Sequence, residues 1–246
     1  MRQVFPTLET DLDLVDIVNR DHRAARPDRP WIGVNMVTSL DGAVAVDGRS
    51  GGLSSEADKE MFRALRQMPD AIIVGAGTAR AENYGPVRLS DDIQLARQQR
   101  SLSALPRLVV ISGRLQFEAS ARLFEDETQR PILITTNERA ENAPQSLHAV
   151  AEIIGCGVNN VDIEKAMKTL REMNIGVALC EGGPTLNAEL LNAQMIDEWF
   201  LTLSPVLVGG NEMRAIQGMN AQAIDLPLQR IIEADGMLMT RYARES

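Results

Sequence analysis

Residues 176–192, GVALCEGGPTLNAELLN, decide how this chain is read: an apolar run from Gly176 to Cys180 passes through Glu181, Gly182 and Gly183 into a segment opened by Pro184 and Thr185. A short apolar run, a glycine pair and then proline predict a buried strand, a tight turn and a helix. Proline suits the first helical turn because its missing N–H has no partner there in any case. The glycines let a ligand approach the backbone, and unpaired amides at a helix start attract phosphate, so the turn is a candidate pyrophosphate cradle. The competing reading is an ordinary strand-to-helix turn with no ligand.

The same alternation extends outward. WIGVNMV from Trp31, AIIVG at Ala71 to Gly75, RLVVI at Arg107 to Ile111, PILITT from Pro131 and AVAEII from Ala149 read as further buried strands. Between them, Glu56 to Met68 puts Ala57, Met61, Ala64, Leu65 and Met68 on one face, with Ser55 and Asp58 as a capping box at its start. Ile163, Ala166, Met167, Leu170 and Met173 form a second stripe. Near the end, EWFLTLSPVLVGG and RIIEADGMLMTRYAR read as extended segments, the latter turning at Asp235-Gly236. The predicted fold is therefore α/β: one domain with a mostly parallel central sheet, helices on both faces and antiparallel C-terminal strands. Residues 1–30 stand apart as an N-terminal extension. Leu8, Leu12, Val15 and Val18 predict a docked helix, and the polar stretch DHRAARPDRP predicts a loop before the domain at 31–246.

Composition excludes several chemistries. The 246 residues carry 25 Lys plus Arg against 34 Asp plus Glu, a net charge of −9, which disfavours nucleic acid as a partner. Two His and two Cys, far apart, leave too few ligands for a closed zinc site, so no metal is expected. Cys180 reads as a buried small hydrophobe rather than a nucleophile. No apolar run is long enough to span a membrane, and the acidic start does not read as a signal peptide; the expectation is a cytoplasmic protein with reduced thiols.

In an open parallel sheet, ligands sit beyond the carboxyl ends of the strands. Besides the turn at 181–185, two strand ends stand out. AIIVGAGTARAENYGPVR opens through Gly75 and Gly77 toward Glu82 and Arg88, which suit a polar, phosphorylated substrate but read equally as solvated surface. The third glycine of a dinucleotide fingerprint would fall at Arg80. NMVTSLDGAVAVDGRSGGLSSEAD leaves the first of these strands through Ser39, Asp41 and Gly42 and reaches Ser50, Gly51 and Gly52, either as a long binding loop or as a hairpin turning at Asp47-Gly48. Ser112, Gly113 and Arg114 after the third strand suit a nucleotide phosphate or an ordinary turn.

Taken together, NMVTSLDGAVA, LRQMPDAIIVGAGTARAENYGPVR and CEGGPTLNAELLNAQMIDEWFLTLSPVLVGG resemble, in order and spacing, the reductase domain of riboflavin biosynthesis, whose fold is dihydrofolate-reductase-like. The resemblance covers about residues 31 to 243 and implies NADPH-dependent reduction of the ribosyl group of a ribosylaminopyrimidine 5′-phosphate to ribityl, with hydride passing to C1′ of the ring-opened imine. It implies cofactor contacts at Thr38, Leu53, Ser54, Thr78, Glu82 and from Gly183, Pro184, Thr185 and Leu186 on to Glu189, to which the strand-end reading adds Gly75 and Ser112, and substrate contacts at Ser50, Arg66, Arg88 and Glu181. Glu82 and Glu181 would be the catalytic carboxylates, and the protein would be a homodimer. Where many members carry an Asp pair or Asp-Asn followed by Pro, this chain has Glu82-Asn83-Tyr84, and it lacks the zinc deaminase signature altogether. A dihydrofolate-type reductase and a non-catalytic NADP-binding protein are the alternatives.

Overall fold

A computed structural model describes residues 1–218 and 223–244. Its centre is β3 (Trp31–Thr38), flanked by β8 (Val177–Cys180) and β9 (Glu198–Leu203), both parallel to it. Beyond β8 lie β4 (Ala71–Gly75), β5 (Arg107–Ile111), β6 (Ile132–Thr135) and β7 (Glu152–Gly155), also parallel. Beyond β9 the sheet becomes antiparallel through β11 (Met237–Ala243), β10 (Leu228–Ala234), β1 (Arg2–Phe5) and β2 (Glu9–Thr10). The mostly parallel sheet with antiparallel strands at one edge is the expected class.

Alternation along the strands fixes the two faces. On β4, Ala71 and Ile73 join Ile32, Val34 and Cys180 under α7 (Ile163–Glu172) and α8 (Pro184–Asn192). Ile72 and Val74 point the other way, toward α3 (Ala76–Ala81) and α6 (Gln145–Val150). Farther along that second face, α1 (Leu14–Arg20) and α2 (Glu56–Leu65) pack on Leu179, Phe200 and Met239. The Met61, Ala64 and Leu65 stripe predicted from periodicity is thus buried on the sheet.

Four boundaries differ from the sequence reading. The helix of residues 1–30 begins only at Leu14, where Asp13 accepts the amides of Val15 and Asp16; before it, β1 and β2 form a hairpin and Leu8 is exposed. The pairing of β1 with β10 joins residues more than 200 apart, which local periodicity does not register. Ala149 and Val150 end α6 rather than open a strand, because a short apolar run does not distinguish a helix end from a strand start. The helix from Glu56 ends at Leu65, and its last turn tightens as Gln67 and Met68 donate to Ala64 and Leu65. Past Leu203 the SPVLVGG segment leaves the sheet: Val206 accepts the Leu40 amide, and Val208 and Gly209 donate to Asp41. The hairpin at Asp235-Gly236 forms as predicted, with positive φ at both residues and Ala234 paired to Met237.

The first thirty residues are tied to the sheet by charge as well. Arg29 forks onto Asp197 at 2.5 and 2.9 Å, and Arg23 onto Glu198 at 2.6 and 2.9 Å. Both carboxylates are fully buried.

Candidate active site

The chain runs from β3 to β4 and out to β7, then returns to insert β8 between β3 and β4. Connections therefore diverge around β8, and the carboxyl ends of β3, β8 and β4 form a topological switch point, the place where such sheets hold ligands. Backbone hydrogen bonds draw two of these ends together: Glu181 donates to Ile73 at 2.9 Å and Gly75 donates to Gly182 at 2.8 Å.

Glycine is needed here by space. A Cβ on Gly75 would lie 3.3 Å from the Gly183 nitrogen, and one on Gly183 would collide with the Thr78 hydroxyl. Gly182 has φ +82° and faces Met36. The Gly182–Gly183 peptide is cis. Gly183 then caps α8 with no side chain of its own, and Pro184 takes the first helical turn. The amides of Thr185 and Leu186 in that turn lack intrahelical partners, as at any helix start. Thr78 and Gly75 border them.

Glu181, the residue after β8, has its side chain 2% exposed. Arg66, the residue after α2, donates Nε to Oε1 and Nη2 to Oε2, both at 2.7 Å. Tyr84 donates its hydroxyl to Oε2 at 2.7 Å. The Arg66 guanidinium also lies over the rings of Phe62 and Tyr84, 4.2 and 5.7 Å from their centroids. Burial opposes the charge of Arg66, but Glu181 outweighs it and holds the guanidinium above its ordinary range. Burial, followed by the Glu181 charge, pushes the Tyr84 phenol well above its usual value, so it stays protonated and remains a donor.

A second pair spans the loops above. Glu82, just past α3, accepts from both the Ser50 amide at 2.9 Å and the Ser50 hydroxyl at 3.0 Å. That interaction steadies a single 3₁₀ turn, Ser50–Gly52, after which Leu53 is buried and Ser54 donates to Asp58 at 2.6 Å. The preceding segment makes a tight turn at Asp47-Gly48, with Val46 and Arg49 exchanging amide hydrogen bonds, as the hairpin reading anticipated. Ser55 caps α2 by accepting the Asp58 amide, while the Asp58 carboxylate takes Ser54.

The structure thus brings together Gly75, Thr78, Glu181 and Gly183 to Leu186 at the adjoining ends of β4 and β8, and couples Arg66 to Glu181 and Ser50 to Glu82. Thr38 ends β3 next door, buried, its carbonyl taking the Ser204 amide. Ser112 lies one residue past β5, with its hydroxyl accepting the Leu115 amide. Arg88 is exposed and paired with Glu125 through Nη2 at 2.9 Å, whereas Arg66 directs its fork at Glu181 and as folded presents no free bidentate face to a phosphate. Tyr84 escaped sequence reasoning except as a departure from the family pattern. As one of only two tyrosines, placed in a loop of small and polar residues, it carried a signal. Burial moves the Cys180 thiol up to about 12, in keeping with an inert core residue.

This chain is similar to a 2,5-diamino-6-ribosylamino-4(3H)-pyrimidinone 5′-phosphate reductase of Methanothermobacter thermautotrophicus, 29% identical over 87% of this chain and 98% of that protein. A protein of the same name from Archaeoglobus fulgidus is 28% identical over 75% of this chain and 84% of its own. Among solved structures, a pyrimidine reductase-like protein of Corynebacterium diphtheriae superposes with a TM-score of 0.83 at 27% identity, covering 94% of this chain and 98% of that one. The RibD C-terminal domain matches residues 30–237, and the chain belongs to that family.

Proposed function

We propose that this protein is an NADPH-dependent reductase that converts the ribosyl group of a ribosylaminopyrimidine 5′-phosphate to ribityl in riboflavin biosynthesis. The observation that carries the reading is the meeting, at the end of β8, of a buried carboxylate held by three donors with a glycine-lined helix start. The names of the relatives support the reaction and the substrate class.

The residues fit a dinucleotide. Gly75 and Gly183 let the end of β4, Thr78 and the start of α8 pack closely together, and the amides of Thr185 and Leu186 are unpaired donors for a pyrophosphate. Thr38 at the end of β3, Thr78 in α3 and Ser112 after β5 lie at or just past strand ends, and these with Leu53 and Ser54 of the loop before α2 are the further cofactor contacts of the proposal. When bound, a reduced nicotinamide supplies the hydride. The chain's own part is positioning and electrostatics, which is what a hydride transfer asks of a protein. Glu181 accepts a donor of the substrate, Arg66 fixes the orientation of that carboxylate, and Glu82 with Ser50 holds the loop over the ribosyl group. Arg88 reaches the phosphate by leaving its surface partner Glu125, whose exposed pairing costs little to break.

The proposal includes a reductase domain at 31–246, to whose sheet residues 1–30 add β1 and β2, a homodimeric assembly and a cytoplasmic setting. Among the described residues no helix is long and apolar enough to cross a membrane. Stopped-flow loss of NADPH absorbance, with the ribosylaminopyrimidine phosphate compared against dihydrofolate, tests the reading. Turnover of the first and none of the second is expected; the reverse, or binding of NADPH without oxidation on either, overturns it.

A further inference from the structure

We infer that Tyr84 is a positioning residue of the reduction, one that closes the second acceptor site on Oε2 of Glu181 so that the substrate meets this carboxylate at Oε1 alone. The inference rests on the proposed role of Glu181 in the active site. An ionised carboxylate offers about four acceptor sites, two on each oxygen. Arg66 Nε fills one on Oε1, Arg66 Nη2 one on Oε2, and the Tyr84 hydroxyl the second on Oε2, each at 2.7 Å. What remains is one position on Oε1.

Geometry makes the arrangement rigid. The carboxylate hangs from the residue after β8, the guanidinium from the end of α2 and the phenol from the loop after α3. Three separate elements thus converge on one group. The guanidinium lies over both the Phe62 and Tyr84 rings, so removing the phenol hydroxyl leaves its stacking in place. A carboxylate pinned in this way cannot rotate to accept a second ligand donor at Oε2. It therefore selects a substrate that offers a single hydroxyl or N–H at the reacting end.

Tyr84→Phe tests the inference because it deletes one oxygen and keeps the ring. With the ribosylaminopyrimidine phosphate as substrate, kcat is expected to fall about tenfold through loss of alignment, with KM and the Kd for NADP unchanged within about twofold. Wild-type kcat in the variant overturns the positioning role, as does a loss confined to KM. A spectroscopic measurement independent of turnover guards against a folding defect. In a Tyr242→Phe background Tyr84 is the one remaining tyrosine. Its phenolate absorbance should appear well above the ordinary value of about 10 and move down when Glu181→Gln is added. An unmoved titration overturns the Tyr84–Glu181 link. If wild-type protein fails to oxidise NADPH on this substrate while the phenolate titration shifts as stated, the functional reading has failed and the contact has not.

Discussion

Arg66 and Glu181, 115 residues apart in the chain, form a two-point fork with both N···O distances at 2.7 Å. The guanidinium side is 22% exposed and the carboxylate side 2%, so the pair is nearly dry. Removing the arginine alone leaves a buried carboxylate with only Tyr84 as donor. Arg66→Ala is expected to cost about 3–5 kcal/mol in urea unfolding, as for other broken buried pairs. Arg66→Lys should recover only part of this, because an ammonium cannot fork. Equal stability of Arg66→Ala and wild type would contradict the pairing.

The N-terminal thirty residues are expected to be indispensable, although the family match begins at residue 30. Arg23 and Arg29 supply the bidentate partners of Glu198 and Asp197, whose side chains have no exposure. Arg241 also reaches Glu198, and Asp21 bridges Arg23, Arg230 and Arg241. Each stranded buried charge costs several kcal/mol, against a total stability of about 5–15 kcal/mol. A chain of residues 31–246 should therefore lack cooperative thermal unfolding by circular dichroism. A sharp transition within a few degrees of wild type would contradict this.

Asp41 gives a pH prediction. The Ser39 hydroxyl, then the amides of Gly209 and Val208, pull its carboxyl down to about 2. The folded value lies below the ordinary one of about 3.9, so the contribution is complete above that value and is lost as pH falls through about 2. Hydrogen exchange should show Val208 and Gly209 protected at neutral pH and released in that acid window. Asp41→Ala should expose both at all pH values; unchanged protection in the variant would argue against the cap.

Arg97 is buried with no carboxylate partner among the described residues, and donates instead to the carbonyls of Gln67, Pro69 and Ser103 at 2.7 to 3.0 Å. It joins the turn before β4 to the segment before β5. Arg97→Ala strands three carbonyls and opens a cavity, for an expected loss of about 3–5 kcal/mol in denaturant unfolding. A loss below about 1 kcal/mol would mean that water replaces the guanidinium.

Much of this architecture was legible in the sequence, for identifiable reasons. The 176–192 stretch carries strand, turn and helix start within one window, and each signal is local: apolar run, glycine pair, proline. Asp235-Gly236 named its hairpin in two residues. The site pairs were another matter. Ser50 lies 32 residues from Glu82, and Tyr84 lies 97 from Glu181, so only the folded sheet brings them into contact. The arginines illustrate the limit: their type suggested phosphate, while the partners they have in this structure, Glu181 for Arg66 and Glu125 for Arg88, lie 115 and 37 residues away and carry no local signal. The β1–β2 hairpin was lost for the same reason, since its strands are short and largely exposed and pair with a partner at the far end of the chain.

The most direct test of the central claim is product analysis after turnover with NADPH carrying deuterium at the transferable nicotinamide position. Purified protein, supplied with the ribosylaminopyrimidine 5′-phosphate, should yield a ribityl product with one deuterium, located at C1′ by mass spectrometry and NMR. A product without the label, or a label on the pyrimidine ring, would contradict the account.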